Sequence, residues 1–189
     1  MGLGNPGHTY HGTRHNVGFM VIQALAQRHG VMVDRRLAGA GDRPAGVYGE
    51  YAQDNQTVRL LMPLTMMNES GEALSASGAP PEQLLVVCDD VNLPLGSLRL
   101  RPDGSAGGHH GLQSCLEALK TEQVARLRIG IGVKDLPRDL EGFVLSPFHS
   151  AERPVVKQAI EQAVDACEIW VREGMDAAMN RYNRTQDAA

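Results

Sequence analysis

Two residues of this 189-residue sequence have the types and surroundings for acid–base chemistry. His15 stands in Thr13-Arg-His-Asn16, directly before an apolar-periodic stretch, and so in a loop at the start of a helix. Asp89 follows the apolar run at 84–88, which places it at the carboxyl end of a buried strand. That edge of an open α/β sheet is where ligands bind. A histidine with an ordinary pKa of ~6.5 accepts a proton near neutrality. An aspartate on its other ring nitrogen fixes the tautomer and stabilises the imidazolium as it forms. No serine or cysteine sits in a nucleophile elbow, so the nucleophile for such a pair is water.

Two other patterns share this part of the chain. Gly2-Leu-Gly-Asn-Pro-Gly7 matches G-x-G-x-x-G, the dinucleotide fingerprint, with Asp34 as an acid for the ribose. Only Met1 precedes Gly2, however, and Pro6 lacks the backbone donor a phosphate would use. His8, His11 and His15 follow H-x2-H-x3-H, which suits a zinc hydrolase with three protein ligands. Against that stand Gly7 and Gly12, the lack of a helical pattern, and no accompanying Cys-x-x-Cys or His-Glu-x-x-His. A dinucleotide-binding protein and a zinc hydrolase stay as alternatives at this level.

The elements that must position these residues alternate. Periodicity predicts a helix over 16–28, capped by Asn16, with Val17, Met20, Val21, Ala24 and Leu25 on one face. A buried strand follows over 58–62 and stops at Pro63. A helix capped by Thr65 ends at Gly78. The run 84–88 reads as a central strand covered on both faces. Leu98 and Leu100 alternate with Arg99 and Arg101, giving a strand with one wet, basic face. A glycine-rich loop at 104–108 leads into a helix over 110–119, and 126–132 is a further strand. Residues 136–147 read as loop with an extended piece at 142–145. A long amphipathic helix covers 152–173, and after Gly174 a last short helix covers 175–182. The expected architecture is one α/β domain over 1–189, with a twisted mixed β-sheet flanked by helices.

Composition narrows the class. Apolar residues at 42% and charged residues at 21% are globular values. No apolar run approaches a membrane span, and the start has neither a basic nor an apolar region of a secretory signal. Three cysteines (Cys88, Cys115, Cys167) at wide spacing fit reduced thiols, so a cytoplasmic protein is expected. The net charge of −4 does not attract nucleic acid in bulk, yet residues 97–134 carry six cations against three acids.

These residues together resemble bacterial peptidyl-tRNA hydrolase. The resemblance rests on GLGNPG (2–7) with Tyr10, TRHNVGF (13–19), PLTMMNESG (63–71), VVCDDVNLPLGSLRLR (86–101), GGHHGL (107–112), RLRIGIG (126–132), GFVLSPF (142–148) and AMNRYN (178–183), in order along the chain. It implies an esterase that needs neither cofactor nor metal and acts as a monomer. Such an enzyme would cleave the bond between a peptide and the 3′ end of its tRNA. His15 then corresponds to the catalytic histidine and Asp89 to the aspartate that orients it. Asn5 corresponds to the asparagine that separates blocked from unblocked substrate, and Asn68 to the one that helps place the water. Tyr10 and Met66 fall on contacts near the tRNA terminus. Arg101 and Arg128 fall on a clamp for the 5′-phosphate of the acceptor stem. The sequence departs from the family in three places. The first strand is reduced to Met1, His110 stands where asparagine is usual and bears on substrate binding, and Met66 stands where an aromatic is common. A non-catalytic RNA-binding relative of the splicing type shares this fold and is the alternative from another functional class.

Overall fold

The computed structural model of the chain describes residues 1–39 and 41–183. Helix α1 (Val17–Arg28) buries Val17, Val21, Ile22 and Leu25 along one face. It ends where Gly30 takes a left-handed φ of 64°, and the Val31 amide closes back on the Ala26 carbonyl. Three strands then form an antiparallel sheet in the order β1 (Arg35–Ala38), β2 (Pro44–Gln53), β3 (Gln56–Pro63). Asp54 and Asn55 join β2 to β3 with φ of 47° and 62°, a two-residue turn whose positive φ values match the strand twist.

After α2 (Gly71–Ser77), the second sheet is mixed. β4 (Leu85–Pro94) runs parallel to β6 (Ala125–Gly132), and β5 (Leu98–Arg101) pairs antiparallel with β6 on its far side. Residues 1–3 join the two sheets. The Leu3 amide donates to the Val87 carbonyl, the Val87 amide to the Met1 carbonyl and the Met1 amine to the Leu85 carbonyl, each at 2.8 Å. On the other side the Gly2 amide donates to the Leu61 carbonyl of β3 at 3.0 Å. Short as it is, this stretch pairs with a strand of each sheet.

Alternation along β4 explains the layers. Leu85 and Val87 pack with α1 and with α5 (Arg153–Glu173), while Val86 and Cys88 pack with Leu74 of α2 and Leu112, Cys115 and Leu116 of α3 (His110–Leu119). Both faces of the strand are therefore covered, as its unbroken apolar run requires. Gly174, with φ 86°, separates α5 from α6 (Met175–Tyr182), and the Asn183 side chain then pairs with both backbone groups of Leu100.

Three expectations are corrected. Residues 142–145 are not extended. Asp139 caps a short helix, α4 (Leu140–Val144), by accepting from the Gly142 amide at 2.9 Å. Thr65 caps no helix; its hydroxyl donates to the Glu69 carbonyl across a tight turn at Met67–Glu69. Asp89 does not end its strand. It lies within β4, one residue before the regular pairing with β6 breaks at Asp90. Among the described residues no helix is long and apolar enough to cross a membrane.

Candidate active site

The 3-10 turn at Arg14–Asn16 delivers His15, and its last residue fixes the loop around Asn5. Asn16, expected to cap α1, makes no capping bond. Its side chain instead accepts from the Asn5 amide and donates to the Asn5 carbonyl, both at 2.9 Å. Asn5 passes the constraint on, since its Oδ1 accepts from the Met67 amide at 2.7 Å. That bond settles which end of the Asn5 amide faces away from Met67, because a backbone N–H can only donate. Met66 and Asn68, the two residues flanking the clamped Met67, are exposed. Tyr10 is half-buried, and its carbonyl accepts from the Thr13 hydroxyl at 2.8 Å.

The centre is Asp89, which is 3% exposed. Its Oδ1 lies 2.8 Å from His15 Nδ1 and 3.0 Å from His109 Nε2. The tautomers follow from the outer partners. The Leu112 amide donates to His109 Nδ1 at 3.2 Å, so that nitrogen holds a lone pair and Nε2 carries the proton given to Asp89. His15 meets the carboxylate through Nδ1, which puts its proton there and leaves the Nε2 lone pair free. Burial alone would raise the Asp89 pKa. The N–H groups that His109 and His15 direct at its Oδ1 outweigh it and hold the carboxyl well below the usual range.

His109 escaped the reading of the sequence, which weighed its neighbour His110. His110 is exposed and opens α3, while His109 caps that helix and turns inward. The signal was local: two glycines before a histidine at a helix start. Gly107 and Gly108 take φ of 58° and 85° to make that approach.

His15, Asp89 and His109 also form the one group of three ligand-type side chains, among the described residues, close enough to share a metal ion. The hydrogen bonds argue against that use. A metal would take the His109 Nε2 lone pair, move the proton to Nδ1 and set it against the Leu112 N–H. His8 and His11 are exposed and outside this group, so the H-x2-H-x3-H spacing assembles no site. Gly2 and Gly4 of G-x-G-x-x-G serve packing, whereas Gly7 takes a φ of 100° with open space around it. A Cβ on Gly2 would lie 2.2 Å from the Gly18 carbonyl oxygen, and one on Gly4 within 2.7 Å of the Phe19 ring. Only a three-residue 3-10 turn (His8–Tyr10) follows that loop, and the first α-helix begins at Val17, so it is not a dinucleotide cradle.

The basic strand face exists and is divided in use. Register places Arg99 opposite Arg128 and Arg101 opposite Arg126, four arginines on one face of β5 and β6. Arg126 is 2% exposed and donates to the carbonyls of Gly104, Ser105, Glu122 and Val124. Arg128 donates to Asp90 Oδ2 at 2.8 Å with its side chain 30% exposed, whereas Arg101 is exposed. Asp90 also accepts from the Asn92 amide at 2.8 Å, supporting the segment after Asp89.

The chain is similar to known proteins along nearly its whole length. The family model described as peptidyl-tRNA hydrolase matches residues 1–189. The chain is 45% identical over 189 residues to the peptidyl-tRNA hydrolase of Synechococcus sp. (strain JA-3-3Ab), covering 97% of this chain and 81% of that protein. It is 45% identical over 188 residues to that of Salinibacter ruber, covering 97% and 96%. The crystal structure of peptidyl-tRNA hydrolase from Acinetobacter baumannii superposes with a TM-score of 0.85 at 33% identity, covering 97% of this chain and 92% of that one.

Proposed function

This chain belongs to the peptidyl-tRNA hydrolase family and is an enzyme that hydrolyses peptidyl-tRNA, and from that premise we propose that His15 is its general base, oriented by Asp89. The observation that carries the proposal is the 2.8 Å bond between His15 Nδ1 and Asp89 Oδ1, which leaves Nε2 as the free acceptor. His15 Nε2 takes a proton from water as the oxygen attacks the ester carbonyl. The bond to the ribose oxygen then breaks, and the imidazolium returns its proton to that oxygen. Asp89, kept ionised, stabilises the imidazolium in between.

Asn5 and Asn68 act on the substrate as amides. With Oδ1 of Asn5 held by Met67, its Nδ2 is the donor offered to a carbonyl. Asn68 orients the water, and neither residue adds charge. Tyr10, Met66 and His110 line the path of the tRNA 3′ end. Arg101 and Arg128 contact the acceptor-stem phosphate, where a guanidinium is suited to bidentate contact. The enzyme needs no metal or other cofactor, works as a single domain and a monomer, and is cytoplasmic; its three cysteines are all buried and free.

The test is His15→Ala, assayed for release of an N-acetylated amino acid from tRNA with EDTA present. Turnover by the native chain and its loss in the variant, with tRNA binding nearly intact, is the expected result. Near-native turnover by the variant would remove His15 from the role of base.

A further inference from the structure

The residue next to the base is a cation that the chemistry above does not use. Arg14 is 1% exposed and, among the described residues, is the largest side chain to be fully buried. Its Nη2 donates to both carboxylate oxygens of Glu152, at 2.9 and 2.7 Å. Its Nη1 donates to the Ser146 hydroxyl at 3.3 Å and to the Pro147 carbonyl. The guanidinium carbon lies 4.6 Å from the Phe143 ring centre and 5.0 Å from that of Phe148. The backbone joins the same segment, for the Arg14 amide donates to the Ser146 carbonyl at 3.0 Å and Thr13 bridges to Pro147. Glu152 is itself held, accepting from the His149 amide at 2.6 Å just before α5.

A buried ion pair adds little net stability, because the desolvation of both charges offsets their attraction, and apolar replacements are often as stable. What this pair does supply is direction. Its contacts converge on the residue preceding His15, from a segment distant in sequence. We propose that Arg14 is a positioning residue. By tying the loop at 13–16 to residues 146–152, it sets the approach of the His15 ring to Asp89 and of Asn16 to Asn5. The inference rests on the reading of His15 as the base.

The double variant Arg14→Met/Glu152→Met tests this, since it removes both charges together and leaves neither buried alone. It should fold, with a thermal midpoint lowered by a few degrees because the Pro147 carbonyl and Ser146 hydroxyl lose their donor. With N-acetylated aminoacyl-tRNA, kcat should fall roughly ten- to a hundredfold, the scale of a small misplacement of a reacting group. KM should stay within about twofold, the signature of a loss felt in the chemical step. The downfield Nδ1 proton resonance of His15 should shift or broaden. A folded double variant with native kcat and an unchanged resonance overturns the proposal. If the double variant does not fold, Arg14→Lys decides. It keeps the charge but lacks the planar fork, so a reduced kcat with a shifted His15 resonance supports positioning, and native values of both overturn it. His15→Ala keeps the two readings apart. Turnover surviving in that variant removes the base assignment, whereas its loss beside a fully active double variant removes only the role of Arg14.

Discussion

His15 and His109 meet on a single atom, Oδ1 of Asp89, at 2.8 and 3.0 Å. Their ring centres stand 4.9 Å apart, and they arrive from the loop before α1 and the start of α3. One donor would suffice to fix the carboxylate beside His15. The second keeps the carboxylate ionised in a buried place, and its own orientation is set by the Leu112 amide. His109→Ala should therefore lower kcat by about tenfold, the scale of one hydrogen bond to a charged group. KM should hardly change. A kcat equal to that of the native chain would show that His15 alone holds Asp89.

Asp89 also ties stability to acid. Burial opposes its charge, but His109 and His15 hold its folded pKa well below the usual carboxylate range. Between that value and the unfolded pKa of ~3.9, the unfolded chain binds a proton that the folded chain does not, so stability rises with pH across this interval. The contribution is complete above the unfolded value and is lost as pH falls toward the folded one. The stability difference between the native chain and Asp89→Asn, read from urea midpoints, should be largest near neutrality and shrink below about pH 4. A difference independent of pH would contradict the ionised, paired carboxylate.

Much of this site was legible in the sequence because its parts were locally unambiguous. Asp89 follows a run that only a doubly covered strand accommodates, and His15 precedes a clean helical period. The missed parts depend on backbone detail. His109 and His110 are adjacent and chemically identical, and the choice between them is made by the φ values of Gly107 and Gly108 and by the helix cap. β2 was hidden by its Gly and Ala content and by a turn of Asp54 and Asn55 in place of the usual glycine. Residues 142–145 have the aromatic and branched side chains of a strand, yet the Asp139 cap makes them helical. Asn16 has the residue type of a helix cap, and tertiary structure uses it to hold Asn5 instead.

That use of Asn16 bears on specificity. Asn5 is pinned through its backbone by Asn16 and through Oδ1 by Met67, so a change at Nδ2 alone is informative. Asn5→Asp retains an acceptor for the Met67 amide and exchanges the donor for a second carboxylate oxygen. The variant should fold, and its kcat/KM for N-acetylated substrate should drop by roughly a hundredfold or more, as when one well-placed amide donor to a reacting carbonyl is lost. Its preference for blocked over unblocked aminoacyl-tRNA should narrow. Retention of both rate and preference would place the donor elsewhere.

The arginine face makes a prediction that separates its members. The chain is net negative, so affinity for tRNA has to come from a local patch. Phosphate contacts release counterions, and each one steepens the fall of log affinity with log salt. Arg101 is exposed, and its replacement by Ala should weaken binding and reduce the slope by about 1. Arg128 already donates to Asp90, so its charge is partly compensated and it must share or leave that partner to take a phosphate. Arg128→Ala should accordingly change the slope less than Arg101→Ala, and Asp90→Asn should steepen it by freeing Arg128. Arg126 donates to four backbone carbonyls, and its replacement should lower stability, because those buried acceptors lose their donor. Titrations of tRNA at several salt concentrations order Arg101 and Arg128, and urea midpoints read Arg126. Equal slopes for the Arg101→Ala variant and the native chain would mean that the acceptor-stem phosphate lies away from β5.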